Sequence, residues 1–388
     1  MILNAIQKEL NTIREEKLYR SLPNIELTDS PNHVLLDRKK VLNACSNNYL
    51  GLTHNREISR VMNETAKQYG NGSGASRLVS GNHQQYIEAE KALLSYFDLS
   101  GEYASIIVGN GYCCNVGLLS ALGSISNTEF FMDKLCHASL IDGSELAHAK
   151  RKRYRHNDVS HLEKLLQQSE AENKIIVTDG IFSMDGDIAP LAELVALKKK
   201  HNAFLIVDDA HGVGVLGKNG MGIAEELGIA IEEIDCLVGT FGKAFGLYGA
   251  FAVAKKEVID FLVNRARSVI FSTGLPPMIL SSITKSLEIV SGMQKERDYL
   301  QEQSIFVRKS LQERDFDVPD GITPIIPVII GRNEDALQLA QKCRDKNVFI
   351  SAIRPPAVPK NTARLRLTLS SSFTKTEINE ILSALKNP

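Results

Sequence analysis

Cys236-Leu237-Val238-Gly239-Thr240-Phe241-Gly242-Lys243-Ala244-Phe245-Gly246 is an apolar run that ends abruptly in small residues around a single lysine. The first three residues read as a buried strand, and the glycines that follow make a turn at its carboxyl end. A lysine held in such a turn can neither lie along a helix face nor move freely in water. Upstream, Leu205-Ile206-Val207-Asp208-Asp209-Ala210-His211-Gly212 repeats the setting. Open parallel sheets bind their ligands at the carboxyl ends of the strands. The two segments therefore offer an amine, a carboxylate and an imidazole at one sheet edge. A pyridoxal phosphate enzyme needs those three groups: an amine for a Schiff base, a carboxylate for a protonated pyridine nitrogen, and an imidazole beside both.

Outward from these strands the chain alternates strand and helix. Further strands are predicted at 104–108, 175–178, 204–207 and 249–253, with helices at 57–69, 86–97 and 191–201. Such alternation predicts a mostly parallel sheet, of the seven-stranded type, with helices on both faces. A long charged helical pattern covers 282–314. After it come strands at 325–330, 348–350 and 364–369 and helices at 335–346 and from Lys375, which predict a smaller C-terminal α/β domain. The expected division is an N-terminal helix and arm over 1–45, a large domain over 46–285 and a small one over 286–388. Ile2, Ile6, Leu10 and Ile13 form one stripe of an N-terminal amphipathic helix.

Composition narrows the class. The chain has 388 residues, 43% hydrophobic and 23% charged, with a formal net charge of -1. A near-neutral chain has no electrostatic reason to bind nucleic acid or an anionic membrane. Six cysteines lie scattered without a C-x-x-C pair, which fits reduced thiols and neither a metal site nor a disulfide framework. No apolar run is long enough for a membrane span, and Met1 to Arg20 lacks the pattern of a signal peptide, so a cytoplasmic protein is expected.

Neighbouring residues in a strand point to opposite faces, so only one of Asp208 and Asp209 can turn toward a ligand. At about 4 Å and an effective dielectric near 20, a carboxylate paired with a pyridinium is worth roughly 4 kcal/mol before desolvation. Either aspartate could instead cap the next turn. Val108-Gly109-Asn110-Gly111-Tyr112 is a strand ending in a glycine turn before a helix, a natural phosphate cradle. Ser183 and Thr240 add hydroxyls, and Ser272 and Thr273 form a further hydroxyl cluster within reach of a partner subunit's phosphate. His137 could stack on a planar ring. Arg354 is followed by Pro355, Pro356 and Pro359, which stiffen its loop, and a rigid guanidinium suits capture of a carboxylate.

Taken in order, these segments resemble the α-oxoamine synthases, pyridoxal phosphate enzymes of fold type I. The resemblance runs from Ser46-Asn47-Asn48-Tyr49-Leu50-Gly51-Leu52, through Ile181-Phe182-Ser183-Met184-Asp185-Gly186-Asp187, to Ala363-Arg364-Leu365-Arg366-Leu367-Thr368-Leu369. It implies that Lys243 carries the cofactor, Asp208 binds the ring nitrogen, His137 stacks on the ring, and Gly111, Tyr112, Ser183, His211 and Thr240 line it. Asn47 and Arg354 would hold the amino-acid carboxylate, with Arg20 as a further substrate contact. At Ala357 the chain departs from the family pattern, where a threonine touches substrate. Ser76-Arg77-Leu78-Val79-Ser80-Gly81-Asn82 and Ile353-Arg354-Pro355-Pro356 imply the branch that joins L-alanine to a pimeloyl thioester of coenzyme A or an acyl carrier protein, releasing carbon dioxide, in biotin synthesis. A homodimer is implied as well. Sister enzymes using glycine, serine or another acyl chain, and a non-catalytic cofactor-binding regulator, are the alternatives; the regulator would need a DNA-binding segment that the sequence does not show.

Overall fold

The structure is a computed structural model that describes residues 1–385. In chain order it begins with α1 (Ile2–Glu15), β1 (Ile25–Leu27), β2 (His33–Leu36) and β3 (Lys39–Asn43), then α2 (Arg56–Tyr69) and α3 (Gln84–Tyr96). There follow β4 (Tyr103–Val108), α4 (Gly111–Leu122), β5 (Thr128–Asp133), α5 (Ala138–Leu146), β6 (Lys150–Tyr154), α6 (Val159–Gln167) and β7 (Asn173–Asp179). The middle of the chain continues with α7 (Leu191–His201), β8 (Phe204–Asp208), α8 (Ile223–Glu226), β9 (Cys236–Thr240), β10 (Ala250–Lys255), α9 (Lys256–Arg265) and α10 (Arg267–Ile270). The last part comprises α11 (Pro277–Ser291), α12 (Gln294–Gln312), β11 (Ile325–Gly331), α13 (Asn333–Asp345), β12 (Val348–Phe349), β13 (Ser351–Ile353), β14 (Ala363–Thr368) and α14 (Lys375–Ala384).

Two compact units result, one of residues 50–183 and 187–297, the other of 1–49, 184–186 and 298–388. The larger unit holds the expected seven-stranded sheet, in the order β4-β10-β9-β8-β7-β5-β6. All neighbours are parallel except β10, which runs antiparallel to both β4 and β9. Its central strands are buried along their length because helices cover both faces. Phe130, Val177, Ile206, Val238 and Ala252 form the centre of one core, packed by Leu118, Leu119 and Leu140 from α4 and α5. Each such large apolar side chain contributes about 1.5–3 kcal/mol on leaving water.

Register aligns the strand ends: Asp208 faces Asp179 on β7 and Val238 on β9. Asp133, Asp179 and Asp208 thus end three parallel strands at the carboxyl edge of the sheet. The loop after β9 bends at Gly246, with φ 68°, and a Cβ there would lie 2.6 Å from the Leu52 carbonyl carbon. Only glycine allows that backbone to pass so close.

The smaller unit has a four-stranded sheet, β1-β2-β3-β12, and a three-stranded sheet, β11-β14-β13. The parallel pairing of β3 with β12 joins the N-terminal segment to the C-terminal one, where the sequence reading had set 1–45 apart. Met184–Gly186 also belongs here: Arg364 donates to the Met184 carbonyl and pairs with Asp185, and Thr323 donates to the Gly186 carbonyl. The helical pattern expected over 282–314 is two helices, α11 and α12, separated at Gly292 and Met293. Two strands of the large sheet, β5 and β6, lay outside the expected set. Among the described residues no helix is long and apolar enough to cross a membrane.

Candidate active site

Asp208, the last residue of β8, and Asp209, the residue after it, send their carboxylates to different places. Asp208 accepts a hydrogen bond from Asn115 Nδ2 at 2.6 Å on one oxygen and from the Ala210 N–H at 3.1 Å on the other. Asp209 is fully buried and accepts from the Ile223 N–H at 2.8 Å, tying down the start of α8. Burial pushes the Asp209 carboxyl up to about 8, with the Asp208 charge adding to the effect against the pull of the backbone donors. Only Asp208 belongs to a network that runs on to other site residues.

That network crosses from α4 to α5. Asn115 Nδ2 also donates to Ser139 Oγ at 2.9 Å, and Ser139 Oγ lies 2.7 Å from His137 Nδ1. Since the Ser139 oxygen already accepts from Asn115, its hydroxyl hydrogen is free to point at His137. The Ser139 N–H also reaches His137 Nδ1, at 3.3 Å. Two donors on Nδ1 place the ring hydrogen on Nε2. His137 is itself exposed, so a molecule from solvent can reach it. Desolvation by the surrounding protein lowers its pKa, opposed by the Asp208 charge and reinforced by Lys243. The His137 N–H donates to Asp179 at 2.9 Å, which fixes the peptide that carries the ring. Asp179 is buried, and burial first, then the charge of Asp208, holds its carboxyl well above the usual range.

Lys243 is half-buried in the loop after β9. Its charge is felt at His137, Asp179 and Asp209, which places the amine with that cluster. Thr240 braces the loop: its hydroxyl donates to the Gly249 carbonyl at 2.9 Å and accepts from the Gly242 N–H at 3.1 Å. The Gly246 N–H returns to the Lys243 carbonyl at 3.0 Å. His211 is buried in the turn after β8, and Ser183 is half-buried in the turn after Ile181. At the start of α4, Asn110 caps the helix by accepting from the Cys113 N–H at 2.9 Å. A Cβ on Gly111 would meet open space, so the turn leaves room for a ligand. Tyr112 is exposed and its hydroxyl donates to Asp142. Ser272 and Thr273 are exposed, on a segment pinned by the Ser76–Thr273 bridge and the Gly274 N–H to Ala75 carbonyl bond.

These groups fit pyridoxal phosphate. An amine, a preorganised carboxylate, an exposed imidazole and an uncrowded helix start lie on one edge of one sheet. Asn115 and Ser139 escaped the sequence reading, since nothing local marks a buried asparagine in a helix as a partner of an aspartate 93 residues away.

The other expected residues belong to the smaller unit. Asn47 accepts from Arg366 at 3.0 Å, and Arg366 also donates to Thr368 Oγ1 at 3.0 Å. Arg366 is buried beside Asn47, which puts a guanidinium next to one of the expected carboxylate contacts. Alternation along β14 offered a signal for it, because an arginine at a buried strand position is unusual. Arg20 donates to the Pro355 carbonyl at 2.7 Å, and Arg354 donates to the Lys17 carbonyl. Ala357 is exposed, with its N–H on the Arg354 carbonyl at 3.2 Å.

Comparison with known proteins gives the family and the fold. The model of the family "Aminotransferase class I and II" matches residues 39–385. The 8-amino-7-oxononanoate synthase of Geobacter sulfurreducens is 40% identical over 384 residues, covering 98% of this chain and 97% of that protein. Serine palmitoyltransferase of S. paucimobilis, solved with a bound PLP–myriocin aldimine, is 29% identical with a TM-score of 0.91, covering 98% of this chain and 95% of that one. The 8-amino-7-oxononanoate synthase of Francisella tularensis is 28% identical with a TM-score of 0.76, covering 89% and 96%.

Proposed function

This chain belongs to the aminotransferase class I and II family, in its α-oxoamine synthase branch, with pyridoxal phosphate as cofactor, and from that premise we propose that it condenses L-alanine with a pimeloyl thioester to give 8-amino-7-oxononanoate, carbon dioxide and the free thiol carrier. The observation that carries the choice is the 40% identity with a curated synthase of that name along 98% of the chain. The reaction serves biotin formation, and the active enzyme is proposed to be a homodimer.

When bound, pyridoxal phosphate supplies an aldehyde for the Lys243 amine and a protonated ring that accepts electron density from the α-carbon of the amino acid. The protein's residues do the rest. Asp208 would hold the proton on the ring nitrogen, its two oxygens already oriented by Asn115 and Ala210. His137 would lie on the ring, held by Ser139. Gly111, Tyr112 and Ser183, with Ser272 and Thr273 of a partner subunit, would hold the phosphate and ring substituents, and His211 would flank the ring. Arg354, Asn47 and Arg366 would bind the alanine carboxylate. Lys243, freed when alanine takes its place, would remove the α-proton. The new carbon–carbon bond forms at the thioester carbonyl as the carbon–sulfur bond breaks. The carboxylate then leaves as carbon dioxide, and a proton returns to the α-carbon.

A sister reaction with serine is the second reading, favoured by the higher TM-score of the serine palmitoyltransferase. Turnover with alanine, glycine and serine, each with pimeloyl and longer acyl thioesters and read by carbon dioxide release, separates the two. Alanine with the pimeloyl donor is expected to be fastest; preference for serine or a long acyl chain would overturn the proposal.

A further inference from the structure

The smaller unit contains a cavity of about 710 Å³ whose charged lining is of one sign. Arg14, Lys17 and Arg20 from α1 and the arm after it face Arg344 and Arg354 across it, and among the described residues no aspartate or glutamate lines it. Like charges gathered without acid cost stability unless an anion joins them. Two of these side chains show the lack directly. Among the described residues, Arg344 Nε and Arg354 Nε are buried N–H donors with no acceptor. A buried donor left unmade is costly, so its presence points to a group that completes it. Burial, and then the neighbouring Arg20 charge, both oppose the Arg354 cation.

The side chains are nonetheless held in place. Arg14 lies 4.6 Å from the centre of the Tyr19 ring, and Arg344 lies 5.6 Å from that of Phe349. Arg20 and Arg354 are each anchored on a backbone carbonyl across the groove, of Pro355 and Lys17. A single carboxylate would occupy one or two of the five cations and a small part of the volume. Several guanidiniums around one space suit a phosphate group, which offers oxygens to forked donors from more than one side.

We propose that this groove is a phosphate-binding subsite that takes the phosphopantetheine arm of the acyl donor, with Arg14, Lys17, Arg20 and Arg344 as its binding residues and Arg354 kept for the alanine carboxylate. The inference rests on the thioester reading above and deepens it: the donor's carrier is phosphorylated, and the enzyme reads that phosphate. The phosphate can be that of a free coenzyme or of a protein-borne arm, and the two share this chemistry.

The test uses the cofactor-loaded full chain and its variants Arg344→Gln and Lys17→Gln, which alter opposite walls. Equilibrium binding is measured for desulfo-coenzyme A, for a phosphopantetheinylated acyl carrier protein, and for pantetheine, which lacks phosphate. The alanine-induced change in the visible spectrum checks that each variant is folded and loaded. Expected is phosphate-dependent binding, weakened about tenfold by each substitution, the loss of one hydrogen bond to a charged group, and weakened further by salt. Weakening confined to the coenzyme or to the carrier protein supports the site and names its source. Unchanged binding in both variants, or pantetheine binding as tightly as the phosphorylated probes, overturns it. Turnover is scored separately. Phosphate-dependent binding with a different preferred amino acid sinks the proposed reaction and leaves the groove; normal turnover with indifferent variants sinks the groove alone.

Discussion

Lys243 supplies the only amine of the loop between Phe241 and Gly246, so its replacement has one clean consequence. Lys243→Ala is expected to abolish the visible absorbance of the cofactor-loaded protein and all turnover, measured by spectrum and carbon dioxide release. Borohydride reduction and peptide mapping should find the cofactor on Lys243 alone. Asn115 is a finer probe, because it touches no substrate in the proposed scheme and acts through Asp208 and Ser139. Asn115→Ala removes one donor to a buried carboxylate, so kcat should fall roughly ten- to a hundredfold. The KM for alanine should change little, and cofactor should leave faster on dialysis. A parallel rise in KM with unchanged cofactor retention would count against the positioning role. Lys243 and the Asp208–Asp209 pair stood out in the sequence because such residues at strand ends are rare, while the resemblance chose Asp208 and gave His137 its expected role. Asn115 and Ser139 did not stand out, since an asparagine or a serine is compatible with almost any helix surface.

At the scale of an element, the loop after β9 and the last helix are the parts most open to test. Gly246→Ala places a methyl group against the Leu52 and Thr53 backbone at a positive φ. Neither backbone can yield cheaply, so the variant should lose about 1–3 kcal/mol in denaturant unfolding, with cofactor occupancy falling alongside. The start of α14 carries a reciprocal cap between Thr374 and Glu377. Thr374→Ala should cost about 1 kcal/mol and leave turnover alone, a useful contrast. The central strands β7, β8, β9 and most of β4 were readable from their apolar runs. β6, Lys-Arg-Lys-Arg-Tyr, was not: four cations in five residues show no apolar run, yet an edge strand can keep such side chains in water while its backbone pairs on one side. β5 lies beside it, and its Thr128-Glu129 start hides a strand that is buried throughout.

For the whole molecule, stability should depend on pH through His156. It sits between Asp133, at 3.0 Å, and Asp187, at 2.7 Å, and stacks edge-on against Phe182. Burial pulls its pKa down, but the hydrogen bonds and charges of Asp133 and Asp187 win and lift it to about 10. A histidine whose folded pKa is raised stabilises fully below its unfolded value, about 6.5, and loses that contribution as pH rises toward 10. The melting temperature should therefore fall across that window. His156→Gln should flatten the dependence and cost on the order of 2 kcal/mol near neutral pH, where the ion pairs are otherwise intact. A pH dependence unchanged by the substitution would assign the effect elsewhere.

Local chemistry is what the chain carried on its own: apolar runs that must be buried, glycines at their ends, and an amine, a carboxylate and an imidazole at places where a sheet presents ligands. These are short-range properties, and they sufficed for the fold class and the cofactor. Tertiary structure alone decided the rest. It showed what holds each aspartate, Asn115 for Asp208 and α8 for Asp209, it joined the N-terminal strands to β12, and it lined one groove with five cations drawn from both ends of the chain. Each of those depends on residues far apart in sequence coming within a few ångströms, and such proximity leaves no trace in local composition or periodicity.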